Sequence, residues 1–275
     1  MESGTRDGLL SDLAKAVSSV TPAHPTRVAI DGIPGAGKTT LADELAVVLR
    51  AQGREVIRAT IEDFLNPSSV RHPWSDSAEG WYHHNTDLAA LHRVLLDPLG
   101  PGGDRRIQRA VYDRATDTAV SSPATVAAID AVLLFDGVFL LRKELFDRWD
   151  LRIFVSADFD KALDRSRIRD QTPLMSAAEV EQRYRRRYIP SQQFYLKTIR
   201  PAEHADIVVY NNEPLQPTWQ ARTLGCHGSR AHGLARLRHR TSEIITEQLW
   251  ASRLPAASAP VPSRWPARSA RLARS

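Results

Sequence analysis

Cysteine is nearly absent from this chain of 275 residues. The single Cys226 excludes a disulfide framework and a zinc site built on cysteines. No stretch approaches the roughly 18 consecutive apolar residues of a membrane helix. The opening run MESGTRDGLLSDLAKAV carries acids near its start and lacks the apolar core of a secretory signal. No internal repeat of about 20–50 residues recurs, which removes solenoids and propellers. These absences leave a cytoplasmic, globular protein with no membrane partner.

Lysine is missing from the last fifth of the chain, and that absence reorganises the charge. The whole chain carries a net charge of +5, which invites a nucleic-acid reading. Residues 221–275, however, hold ten arginines, no lysine and two acids, Glu243 and Glu247. The first 220 residues then hold 27 basic against 30 acidic side chains and are mildly acidic. Nucleic acid is therefore not an expected partner of the body. Nothing in the sequence forbids a homo-oligomer.

Apolar periodicity divides the chain into residues 1–24 (a helix and linker), residues 25–214 (one α/β domain) and a basic tail, 215–275, expected to be disordered. Leu9, Leu10, Leu13, Ala16 and Val17 recur at helical spacing, and the Pro22–Pro25 segment ends that helix. Strands are expected over Arg27–Ile30, Glu55–Ile61, Ile107–Tyr112, Ala131–Phe135, Leu151–Val155 and Ile207–Tyr210. Helices are expected over Thr39–Arg50, Asp87–Leu96, Asp158–Arg169 and Glu179–Lys197, with a short one over Thr241–Trp250. Continuous apolar runs such as Ala131–Phe135 mark strands covered on both faces. Alternating strands and helices predict a mostly parallel, doubly wound sheet in a three-layer α/β sandwich.

The strongest motif is Gly32-Ile33-Pro34-Gly35-Ala36-Gly37-Lys38-Thr39, followed by Thr40. Its glycines let successive backbone N–H groups curl toward phosphate oxygens, and the following helix adds its positive N-terminal end. Lys38 is placed to reach the β- and γ-phosphates, and the Thr39 hydroxyl to ligate Mg²⁺. An apolar strand before the loop and an amphipathic helix after it make a merely connecting turn a poor alternative. ATP with Mg²⁺ is the expected cofactor pair. No Asn-Lys-x-Asp guanine-reading motif is present, and no motor module, so phosphoryl transfer to a small molecule is the expected chemistry.

Ligands of open α/β sheets sit at the carboxyl ends of the strands. Asp136 follows a strand there and is a candidate second Mg²⁺ anchor. Glu62 and Asp63 follow another strand, and one of them can accept the proton of an attacking hydroxyl. Strand alternation allows only one to face the site without choosing between them. Arg165 and Arg169, four apart on a helix, share a face and are candidates to offset charge on the moving phosphoryl group. A solvated face paired with Asp160, Asp164 and Asp170 is the equal alternative. The adjacent His83 and His84 cannot both enter one site from a regular element, so a metal site on them is not expected.

These motifs resemble the uridine kinase family within the phosphoribulokinase-like P-loop kinases. The resemblance rests on the phosphate loop, Ile61-Glu62-Asp63-Phe64, Tyr112-Asp113, Leu134-Phe135-Asp136-Gly137, the run Leu163–Asp170, Tyr188-Ile189-Pro190 and Ala205–Val209. It covers about Arg27 to Asn212. It implies phosphorylation of the 5′-hydroxyl of uridine or cytidine, with Asp63 as general base, Asp136 where the family usually has Glu, and Arg165 and Arg169 in a lid. It also implies a substrate side near Tyr82, His83, Tyr112 and Arg114. The departures fall on that side. Arg114-Ala115-Thr116-Asp117 lacks the family's pyrimidine-reading His, and Tyr82-His83-His84-Asn85 only echoes the ribose-holding segment. Nicotinamide riboside, a sugar or another alcohol remains an alternative acceptor, and a non-catalytic nucleotide-binding regulator is the alternative class.

Overall fold

The computed structural model describes residues 1–121, 123–172 and 175–222. Seven strands form one sheet: β1 (Glu2–Ser3), β2 (Thr26–Gly32), β3 (Val56–Thr60), β4 (Val132–Gly137), β5 (Leu151–Ser156), β6 (Ile207–Tyr210) and β7 (Thr218–Ala221). Their order across the sheet is β1-β7-β6-β5-β2-β4-β3. The five strands from β6 to β3 run parallel, and β7 pairs antiparallel with both β6 and β1. The longer helices are α1 (Arg6–Ser19), α2 (Lys38–Ala51), α3 (Ala78–His84), α4 (Phe159–Arg169), α5 (Ala177–Arg183) and α6 (Ile189–Ile199).

The apolar runs become the middle of this sheet because both faces are covered. All residues of β2 and β4 are buried. Side chains alternate along each strand and so divide the core in two. On one face Val28, Ile30, Leu134, Ile153 and Val155 pack with Leu9, Leu13 and Val17 of α1 and Leu41, Leu45 and Leu49 of α2. On the other, Ala29, Leu133, Phe135 and Phe154 pack with Leu91, Leu95 and Trp149. Truncating a side chain such as Leu45 to Ala would cost about 2–5 kcal/mol.

Several expected boundaries shift. The helix of residues 1–24 joins the core: α1 packs on the sheet, Thr5 caps it by accepting from the Gly8 N–H, and Arg6 pairs with Glu44 of α2 at 2.7 Å. The domain does not end at 214, because Thr218–Ala221 completes the sheet. The rest of the expected tail, with its short helix, lies in 223–275, outside the described residues. The single strand expected over Ile107–Tyr112 is two short pieces that pair in different hairpins. The helix expected over Glu179–Lys197 is interrupted by a wider turn, Tyr184–Tyr188, ahead of Pro190, which lacks an N–H to continue the ladder.

The amino end of the sheet carries a repeated ion-pair motif. Arg27 of β2 donates through its backbone N–H and both guanidinium prongs to Asp150, which precedes β5. Arg152 of β5 does the same to Asp206, which precedes β6. Each arginine carbonyl accepts the N–H of its aspartate.

Candidate active site

The phosphate loop joins β2 to α2 at the carboxyl end of the sheet. Gly35 adopts φ +81, and a Cβ there would lie 2.2 Å from the Ala162 carbonyl oxygen of α4, so no other residue fits. Gly37, at φ +94, precedes α2 and packs against Asn211, whose amide Nδ2 donates to the Ala36 carbonyl at 2.7 Å. Lys38 is buried and donates to the Ile33 carbonyl at 2.8 Å. Burial pushes its ammonium pKa down to about 8, against the opposing pull of Asp136 and Asp31.

The expected metal pair comes together. The Thr39 hydroxyl donates to Asp136 Oδ2 at 2.7 Å. A hydroxyl and a buried carboxylate are the hard oxygen donors that suit Mg²⁺. Among the described residues no three His, Cys, Asp or Glu side chains gather in a metal-binding group.

Glu62 and Asp63 do not alternate as strand residues, because β3 ends at Thr60 and Ile61–Phe64 forms a tight helical turn. The turn separates them by environment. Glu62 is exposed and pairs with Arg114, while Asp63 is half-buried. Burial raises the Asp63 carboxyl pKa, helped by Glu62 and Asp136, while the Thr60 N–H and Arg58 pull it down. Arg114 also lines an open cavity of about 300 Å³ with Arg169, Arg183, Met175, Tyr184 and Tyr188.

The two arginines expected in a lid part company. Arg169 bonds Asp170, which raises its pKa, and it lies close enough to Lys38 and Glu62 to influence both. Arg165 instead donates through Nη2 to the carbonyls of Asn211 at 2.8 Å and Asn212 at 2.6 Å. It braces the loop after β6, and shared helical spacing did not give it a shared task.

The expected substrate residues also divide. Tyr82 is a core side chain among Phe139, Phe194 and Tyr195, with the Arg142 guanidinium 4.4 Å from its ring centre and burial pushing its pKa up to about 12. His83 is on the exposed side of α3, 3.9 Å from Glu79. Tyr112 is buried and bonds Asp117 and Arg71. Asp117 also receives the Ser68 hydroxyl and backbone N–H, so its carboxylate closes the hairpin onto the preceding loop.

Three site residues escaped the sequence reading. Asp31, fully buried in β2 beside Lys38, accepts from the Gly32 N–H and from the Tyr195 hydroxyl, which itself accepts from the Leu141 N–H. Burial raises the Asp31 pKa. An acid directly after the apolar run Val28–Ile30 was the available signal. Arg58 and Asn211 carried none.

Over residues 27–213 the sequence matches the profile of the Cytidylate kinase-like family. The chain belongs to that family. This family member is 24% identical to uridine-cytidine kinase B of Dictyostelium discoideum, across 68% of this chain and 74% of that one. It is 29% identical to the uridine kinase of Leuconostoc citreum, across 66% and 80%. In architecture it is similar to a possible uridine kinase from Bacillus stearothermophilus, with TM-score 0.57 at 24% identity over 74% of this chain and 97% of that one. The fold of this uridine kinase-like protein is thus that of the P-loop kinases.

Proposed function

We propose that this kinase transfers the γ-phosphate of ATP to the 5′-hydroxyl of a nucleoside, uridine or cytidine first. The observation that carries the reading is Asp63, a half-buried carboxylate with a raised pKa on the same sheet end as the phosphate loop. In this reading Asp63 takes the proton of the acceptor hydroxyl as its oxygen attacks the γ-phosphorus and the bond to ADP breaks. Lys38, released from the Ile33 carbonyl, meets the phosphates together with the backbone N–H groups of Gly35–Thr39. Thr39 and Asp136 would hold Mg²⁺, which when bound would offset charge on the phosphate oxygens. Arg169 stands in the lid, and the cavity beside Arg114 has the volume for a small acceptor.

The relatives named above as uridine and uridine-cytidine kinases support the nucleoside acceptor. One observation favours another alcohol as second reading: in the segment Arg114–Asp117, which lacks a pyrimidine-reading His, Arg114 pairs with Glu62 and Asp117 accepts from Ser68 and Tyr112. A panel of uridine, cytidine, nicotinamide riboside and simple sugars with ATP and Mg²⁺ separates these acceptors by ADP release. Asp63→Asn should lower turnover by about 10²–10⁴ with ATP binding kept. Near-normal turnover of that variant would remove Asp63 as the base, whereas no ADP release with any acceptor would favour a nucleotide-binding regulator.

A further inference from the structure

Arg58 lies in β3, the edge strand, where its side chain alternates away from the core and reads as an ordinary solvated residue. The structure gives it a different place. Its side chain is 19% exposed, and the guanidinium reaches across to β4, where Nη2 donates to Asp136 Oδ1 at 2.8 Å and Nη1 to the Leu134 carbonyl at 2.7 Å. Its Nε donates to Asp43 of α2 at 2.9 Å. The two oxygens of Asp136 are therefore held from opposite sides, Oδ2 by the Thr39 hydroxyl and Oδ1 by Arg58.

We propose that Arg58 is the positioning residue of the metal acid, fixing the orientation of Asp136 so that Thr39 and Asp136 present a ready pair of oxygens to Mg²⁺. The inference deepens the kinase reading and rests on it. Asp136 is buried to 2% exposure, and the planar guanidinium holds its carboxylate in one orientation while the other donors of Arg58 lock it to β4 and α2. Partners of this kind around ligating carboxylates commonly govern metal affinity by roughly 10–100-fold when removed. Arg58 acts through Asp136 and is assigned no contact with the acceptor.

The experiment is equilibrium binding of ATP to the full chain, in Mg²⁺ and in EDTA, which needs no turnover. For the wild type, ATP should bind more tightly in Mg²⁺; the absence of that increment overturns the kinase reading, and the proposal with it. Given the increment, Arg58→Gln should lose roughly 10–100-fold of it with binding in EDTA little changed. Arg58→Lys should recover part of the loss, and Asp43→Ala, which removes only the tether to α2, should keep the whole increment. An Arg58→Gln variant with the full increment overturns the proposal, as does a Lys variant as impaired as the Gln variant. Should Arg58→Gln fail to fold, Arg58→Lys is compared with Asp43→Ala: loss in the former alone supports the proposal, and equal loss in both overturns it.

Discussion

At the amino end of the sheet, Asp150 and Asp206 each take two guanidinium prongs and a backbone N–H from one arginine. At the carboxyl end, Asp136 is shared between a hydroxyl and an arginine, Lys38 spends its ammonium on a carbonyl, and Asp63 stands with its pKa raised. The same charged residue types are thus matched internally at one end and left with spare capacity at the other. Internally matched ions fix how neighbouring strands meet. Ions with spare capacity wait for a ligand.

This contrast is broken most directly at the amino end. Asp150→Ala leaves Arg27 buried without its partner and should cost about 3–5 kcal/mol in a denaturant titration, while the kinetics of the folded fraction stay unchanged. A variant that melts normally would erase the distinction. Lys38→Met should do the reverse, lowering turnover by about 10²–10³ with no loss of Tm. Tyr195→Phe falls between the two, because it strips one donor from Asp31 and orphans the Leu141 N–H. It should destabilise by about 1–3 kcal/mol, read by the same titration. The mildest test is pH. Turnover per encounter should rise as Asp63 ionises, above the usual carboxylate range, and fall above about 8 as Lys38 loses its proton in the free enzyme. A profile of kcat/KM without the alkaline limb would place another group on the phosphates.

The placement of the phosphate loop between β2 and α2, and of Asp136 at the end of β4, was legible in the sequence, because glycines at fixed spacing and an acid after an apolar run each have one dominant physical cause. It could not separate Glu62 from Asp63. Alternation is a property of strands, and the chain had already turned at Ile61. Arg165 and Arg169 share a helix face, yet a face says nothing of the carbonyls opposite, and those of Asn211 and Asn212 lie far away in sequence. β7 escaped for a related reason: Thr-Trp-Gln-Ala is too short to show a period, and its strand character comes from β6. Arg58 was invisible because its value depends on Asp136, which only the sheet brings near.

The pairing of β1 with β7 sets Glu2 opposite Trp219. During synthesis the N-terminal strand has no edge to join until nearly all of the kinase body has emerged, and β7 must itself first find β6. The two strands farthest apart in the chain therefore close the sheet last, after the phosphate loop and its helix can already be in place.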